Sequence, residues 1–407
     1  MPENAVPFAL PVSRRSVLAG AAAALILPVW GLRAQAAESG PLVVGIGTDI
    51  VSFDPDRYAS WNDYWAYGNM FEGLFGPDEK GDLAPALAES VDVSADGLTY
   101  VFTLRAGTKF HNGDPVTTAD LVFSLARSLD PKTRYQRALL IGSNIAGFEA
   151  LDERRFQVRL KQIDAETLAK LSIYWQVKPK AYIEAVGDEE FGRKPVGTGP
   201  FQFVERRPSE YFKLRAFAGY WGRPARASEL TIRIVPEEQS RLAQVMAGEA
   251  DVATPISPVL AARLRSMPNL QVVQVSSFLN VLLKFNGGHP EMAKKPVRQA
   301  VAMAIDRDAM RKTIMLGYAA PQDLWCTSAQ PACSAEGVQP YAYDPDKARA
   351  LLKEAGFDFA TPFRFVGQAP GRVAASKETC EAIAEYLGRV GIKVDLQILE
   401  FGAWNAI

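Results

Sequence analysis

The run Ser94-Ala-Asp-Gly-Leu-Thr-Tyr-Val-Phe-Thr-Leu-Arg105, continued by Lys109-Phe-His-Asn-Gly-Asp-Pro-Val-Thr-Thr-Ala-Asp120, sets a strand, a turn and a helix start in direct succession. Tyr100 to Leu104 is aromatic and β-branched, the composition of a strand. His111-Asn-Gly-Asp114 supplies turn residues, and Thr117-x-x-Asp120 spaces a hydroxyl and a carboxylate so that each can cap the same helix end. The helix behind that cap carries Leu121, Val122, Leu125 and Leu129 on one face. A strand delivered through a turn into a one-sided helix is the unit of an α/β layer.

The same alternation extends in both directions. Toward the N-terminus, Leu42-Val-Val-Gly-Ile46 is unbroken apolar sequence, predicted as a buried strand, and an aromatic loop follows with Phe53, Tyr58, Trp61, Tyr64, Trp65 and Tyr67. Toward the C-terminus, Glu237 to Ala247 predicts a helix ended by Gly248, with Ala250-Asp-Val252 resuming as a strand. Asp344 caps, Pro345 opens and Gly356 ends a helix whose buried stripe is Ala348, Leu351, Leu352 and Ala355. Phe363-Arg-Phe-Val366, a helix over 376–390 stopped at Gly391, and the alternating Ile392, Val394, Leu396 and Ile398 predict a parallel βαβ unit. The sequence stops at Trp404-Asn-Ala-Ile407, where another helix is expected to start, so the chain reads as truncated.

With 407 residues, 48% of them hydrophobic, the chain can bury more than one core, and two or three lobes are expected. Lys and Arg number 45 against 46 Asp and Glu, for a formal charge of -1, and basic residues run no longer than pairs such as Arg154-Arg155. Nucleic acid needs a basic footprint, so it is excluded as a partner. Two histidines and no G-x-S-x-G, P-loop or H-E-x-x-H spacing leave no converging nucleophile and base, so no enzyme is expected. Glu189-Glu190 and Glu237-Glu238 could suggest a glycosidase, but they fall in first turns of helices, where carboxylates offset the helix dipole. No cofactor is expected, and the partner is read as a small solute.

The N-terminus carries Ser13-Arg-Arg-Ser16, an apolar run from Ala19 to Leu32 broken by Pro28, and Ala34-Gln-Ala36. A twin arginine, a short apolar segment and an A-x-A site describe a twin-arginine export signal over residues 1–36. The apolar run is shorter than a bilayer requires, which favours a cleaved signal over a membrane anchor. With Cys326 the first cysteine, no thiol near the cleavage site can take a lipid, and a free periplasmic protein is expected. Cys326 and Cys333 bracket a short Pro- and Ser-containing loop and are expected to form a disulfide in an oxidising compartment. A metal there would need further ligands, and His289 has no companion spacing.

The segments quoted at the opening, with Leu83-Ala-Pro-Ala-Leu-Ala-Glu-Ser90 before them, resemble the family 5 extracellular solute-binding proteins, the peptide, oligopeptide and nickel receptors of ABC importers. Val196-Gly-Thr-Gly-Pro-Phe201, Tyr220-Trp-Gly222, Val297-Arg-Gln-Ala-Val-Ala-Met-Ala-Ile-Asp-Arg307 and Tyr343-Asp-Pro-Asp-Lys-Ala-Arg-Ala-Leu-Leu352 agree in order, so the resemblance covers nearly all of residues 40–404. It implies an α/β periplasmic-binding-protein-like fold: two lobes around a hinge cleft, with a subdomain inserted in lobe I. By analogy lobe I spans 38–75 and 197–277, the inserted subdomain 76–196, and an incomplete lobe II 278–407. Family members continue past this ending and return to lobe I.

The resemblance implies a monomeric receptor that closes on a solute and docks on ABC transporter permease subunits. A peptide or peptide-like solute is the commonest family assignment; nickel chelates, opines, glutathione-like compounds and oligosaccharides stay open. The alternatives are a periplasmic chaperone or sensor without transport, and a non-functional fragment of a longer receptor. By position in the family, Tyr58 and Trp61, Phe278 with Asn280 at the crossover, and Trp404 are the candidate cleft residues. Core packing is the competing role for each. Trp325, beside the expected disulfide, ranks below them. Gly197-Thr-Gly-Pro200 is read as scaffold, and His111 as structural because it sits in a turn ahead of a capping segment.

Overall fold

The computed structural model describes residues 40–57, 63–78, 81–133, 135, 138–274, 280–320, 322–326, 333–369, 375–400, 403–404 and 407. The expected export signal and the candidates Tyr58, Trp61 and Phe278 lie outside the described residues.

β1 (Leu42–Ile46) lies inside a five-stranded mixed sheet, between β10 (Glu229–Ile234) and β11 (Val252–Thr254), and runs parallel to both. Its unbroken apolar sequence suits a strand flanked by parallel neighbours, and Val44 and Ile46 are buried. β9 (Tyr211–Ala216) pairs antiparallel with β10, and β8 (Phe201–Arg207) antiparallel with β9. Phe212 and Leu214 alternate into the core as a period of two requires. The helix Glu238–Met246 links β10 to β11 and ends at Gly248, whose φ of 72° is the left-handed conformation of a helix stop. The strand expected from Ala250 begins at Val252. Asp251 accounts for the delay: its carboxylate accepts from Val43 N–H and its own N–H donates to Val43 O, both at 2.8 Å.

A short hairpin of β2 (Phe75–Pro77) and β3 (Leu83–Pro85) leads to a four-stranded antiparallel sheet ordered β4 (Ala88–Val93), β5 (Thr99–Leu104), β7 (Arg155–Leu160), β6 (Ile145–Ala150). The helix Thr118–Leu129 starts with a complete capping box: Thr117 Oγ1 accepts from Asp120 N–H while Asp120 accepts from Thr117 N–H. One continuous apolar core runs from Val44 and Ile232 in the first sheet through Phe53 and Leu74 to Phe102, Phe156 and Trp175.

A second core gathers Val297, Ala300, Val301, Ala304, Ala348, Leu352, Leu387 and Ile392. Its helices Lys295–Ala304 and Pro345–Glu354 carry small residues on their facing stripes, and Asp344 caps the latter by accepting from Lys347 N–H at 2.9 Å. β12 (Phe363–Gln368) and β13 (Val394–Leu399) pair in parallel around the helix Ser376–Arg389, the expected βαβ unit. Among the described residues, no helix is long and apolar enough to cross a membrane.

Candidate functional site

β1, β10 and β11 are parallel, so their C-terminal ends open on one edge, the place where open α/β sheets hold ligands. Arg241 governs that edge from the following helix. Its Nη1 donates to Val235 O at 2.7 Å and to Pro236 O at 2.8 Å, and its Nη2 to Pro255 O at 3.0 Å. A single guanidinium thus ties the loops after β10 and β11. A Cβ at Gly47, just after β1, would stand 3.0 Å from Nη1, so a side chain there would press on the guanidinium that joins the other two loops. Burial pushes the Arg241 pKa down, and Glu238 and Glu237 offset part of that. Glu238 also accepts from Ser257 N–H, closing the β11 loop onto the helix.

The loop after β1 is held along its described length. Asp49 accepts from Arg206 Nη2 at 3.1 Å and from Ser209 N–H at 2.8 Å, fixing it to β8 and the turn that follows. Farther on, Asp54 and Asp56 enter a buried charge cluster. Arg127 donates to Asp54 at 2.6 Å, to Asp56 at 2.5 Å and to Asp188 at 2.8 Å, while Lys178, fully buried, reaches Asp56 at 2.9 Å. Burial opposes the charge on both cations. For Arg127 the three carboxylates outweigh it and the pKa is raised; for Lys178 burial, with repulsion from Arg127, outweighs the attraction of Asp56 and Asp54, so its pKa is lowered. The cluster pins the loop to the helix Thr118–Leu129 up to Arg57, one residue before Tyr58. A groove of about 960 Å³ borders this loop, with Val51, Ser52, Arg57, Phe203 and Arg206 among its lining residues.

Glu72 is the one acid in the apolar run Met70-Phe-Glu-Gly-Leu-Phe75. Its Oε1 accepts from Tyr220 OH at 2.8 Å and its Oε2 from Trp221 Nε1–H at 3.1 Å, while the Arg105 guanidinium lies 4.1 Å over the Trp221 ring. Burial raises the Glu72 pKa to about 7 despite those donors. His111 performs a similar joining role: its Nδ1 accepts from Gly197 N–H at 3.1 Å, so Nε2 carries the proton and donates to Gly199 O at 3.0 Å. Burial lowers its pKa to about 4, which keeps the ring neutral. Gly197 and Gly199 pass so close to Asn69 and Met70 that a Cβ at Gly197 would lie 2.0 Å from Met70 O. His111 and the Gly197-Thr-Gly-Pro200 return are therefore scaffold.

Of the cleft candidates inside the described residues, Asn280 donates through Nδ2 to Trp325 O at 2.7 Å, and the Trp325 indole is 76% exposed. Trp325 adjoins the Cys326–Cys333 disulfide, whose Cα atoms are 6.0 Å apart. Trp404 is half-buried, with its N–H donating to Glu400 O at 2.9 Å. Among the described residues, no grouping of His, Cys, Asp and Glu could hold a metal ion.

The family model of the bacterial extracellular solute-binding proteins, family 5, matches residues 82–407. The chain belongs to this family. A family 5 protein serves as the solute-binding component of an ABC importer, outside the cytoplasm. The glutathione-binding protein GsiB of Escherichia coli O1:K1 is 32% identical over 367 residues, covering 89% of this chain and 70% of GsiB. Among solved structures, the periplasmic binding protein DppA of Helicobacter pylori, in complex with the peptide STSA, superposes with a TM-score of 0.82 at 28% identity, over 92% of this chain and 76% of DppA. NikA from Brucella suis, in complex with Fe(III)-EDTA, gives a TM-score of 0.79 at 25% identity, over 90% and 76%.

Within this family 5 chain, sequence reasoning passed over Arg241, Glu72 and the Arg127 cluster. Glu72 had a signal, an isolated acid in an apolar run, and Asp54-Pro-Asp56 had a weaker one. Arg241 had none, because an arginine on an amphipathic helix reads as a solvated residue until the strand ends it serves are placed.

Proposed function

We propose that this family 5 protein captures a peptide or peptide-like small solute in the periplasm and delivers it to ABC permease subunits by hinge closure. The observation that carries this reading is the pair of separate apolar cores, one built from residues up to Ile234 and the other from Met292 onward, with a parallel-strand edge braced by Arg241 on the first. The peptide complex of DppA and the glutathione binding named for GsiB support the solute class. Residues 38–75 and 197–277 form lobe I, 76–196 its inserted subdomain and 278–407 lobe II; Tyr58, Trp61, Phe278, Asn280 and Trp404 contact the solute. The solute binds first to one lobe, and the closed state is selected by the contacts it gains with the other. A micromolar receptor needs about 8 kcal/mol, within reach of a cleft of this type. The protein works as a monomer, performs no chemical step, and leaves the cytoplasm by the twin-arginine route indicated by Ser13-Arg-Arg-Ser16.

A thermal-shift screen from residue 37 onward, against di- and tripeptides, oligopeptides, metal chelates, opines and sugars, tests the class. A concentration-dependent rise in Tm with peptides alone is the expected result, because a ligand stabilises only the state that binds it. A rise confined to opines, chelates or sugars would replace the peptide reading with that class.

A further inference from the structure

We propose that Trp325 is a solute contact, an indole face held at the passage between the two cores by Asn280, Arg307 and the Cys326–Cys333 disulfide. This deepens the receptor reading above and rests on it.

The chain leaves the first sheet after β11, forms the helix Pro258–Leu264, and enters the second core at Leu283 and Met292. Asn280 lies on that passage, and its bond to Trp325 O places the Trp325 backbone beside it. The loop that carries Trp325 is gripped from both sides. From the end of the helix Pro258–Leu264, the Arg265 guanidinium lies 4.6 Å over the Tyr318 ring. From the second core, Arg307, which follows the buried Ala304 and Ile305, donates to Gln322 O and to the Asp323 carboxylate, each at 2.7 Å. The disulfide then fixes Cys326, the next residue after Trp325.

The side chain at the centre of these ties is nevertheless left out. Trp175 is fully buried and Trp221 is engaged by Glu72 and Arg105, whereas Trp325 is 76% exposed. Immobilising backbone while exposing a large apolar ring is unfavourable for the free protein and favourable for binding, since the ordering cost is met before the ligand arrives. An indole presents a flat apolar face and one N–H donor, which suits a peptide-like solute with a side chain or peptide plane that can stack. In a receptor that closes around its ligand, a rigid face beside the hinge selects among solutes.

Calorimetric titration of wild type, Trp325→Ala, Trp325→Phe and Asn280→Ala with Ser-Thr-Ser-Ala, Met-Leu and S-methylglutathione tests the assignment, with intact mass confirming that Cys326 and Cys333 stay oxidised. Trp325→Ala is expected to weaken the best-bound probe about 10-fold and Trp325→Phe less than about 3-fold. Asn280→Ala, which keeps the ring and removes its tether, should weaken it by an intermediate factor; because Asn280 is itself proposed to touch the solute, Trp325→Leu, expected to weaken binding nearly as much as Trp325→Ala, carries the test if Trp325→Ala fails to fold. Equal affinity in wild type and the variants overturns the role of Trp325 and leaves the receptor reading intact. Failure of wild type to bind any probe overturns the peptide-like reading, and this inference falls with it.

Discussion

The Trp221 indole N–H donates to Glu72 at 3.1 Å across 149 positions of sequence, so the Tyr220-Trp-Gly222 segment is held by a buried acid from a distant part of the chain. That acid is also a source of pH dependence.

Burial raises the Glu72 pKa from 4.5 to about 7 in the folded protein, so between those values the folded state holds a proton that the unfolded chain has released. Stability from this group is therefore greatest at low pH and declines as pH rises from about 4.5 through 7, by at most about 3 kcal/mol. Melting curves from pH 5 to 8 should show a flatter Tm dependence in Glu72→Gln than in wild type. Parallel slopes would remove Glu72 as the source.

His111 acts in the opposite direction. Its pKa falls from 6.5 to about 4 on folding, so its contribution is complete above 6.5 and is lost as pH drops toward 4, again by at most about 3 kcal/mol. The chain has two histidines, so a His289→Gln variant leaves one imidazole to follow by NMR. Its ring resonances are expected to stay in the neutral, Nε2-protonated form at pH 6. A midpoint near 6.5 would contradict the burial.

The Arg127 cluster is expected to be the most sensitive charge site in the protein. Arg127→Met removes the closest cation partner of Asp54, leaving it only the longer 3.8 Å contact with the partly exposed Arg57, and leaves Lys178 as the cation beside Asp56. Loss of one partner from a buried ionic network costs about 3–5 kcal/mol, read as a shift in the urea midpoint. A loss below about 1 kcal/mol would show that water reaches the carboxylates.

Two glycine substitutions separate close packing from helix propensity. Gly197→Ala forces a methyl group into the Met70 carbonyl and is expected to cost more than about 3 kcal/mol or prevent folding. Gly388→Ala, near the end of the helix Ser376–Arg389 with no atom within 4 Å of the added carbon, should stabilise by up to about 1 kcal/mol. Urea unfolding of both variants ranks them; equal effects would mean that the Gly197 backbone can move aside.

Local order was legible in the sequence because its causes are local. The unbroken apolar run of β1, the Thr117–Asp120 box, the Asp344 cap with Pro345, and the glycine stops at 248 and 356 act over a few residues, and each stands where the pattern placed it. Ordered segments across the chain likewise carried the family. The start of β11 was misplaced by two residues because its delay depends on Asp251 meeting Val43, 208 positions away.

The tertiary structure alone decided the rest, for one physical reason. Hydrogen bonds and desolvation act through space, so the neutral His111, the buried Glu72, the Arg241 brace across two strand ends and the Asn280 hold on Trp325 exist only once distant segments meet. Sequence determined which elements form and which family they build; packing determined which polar side chains became joints and left Trp325 exposed.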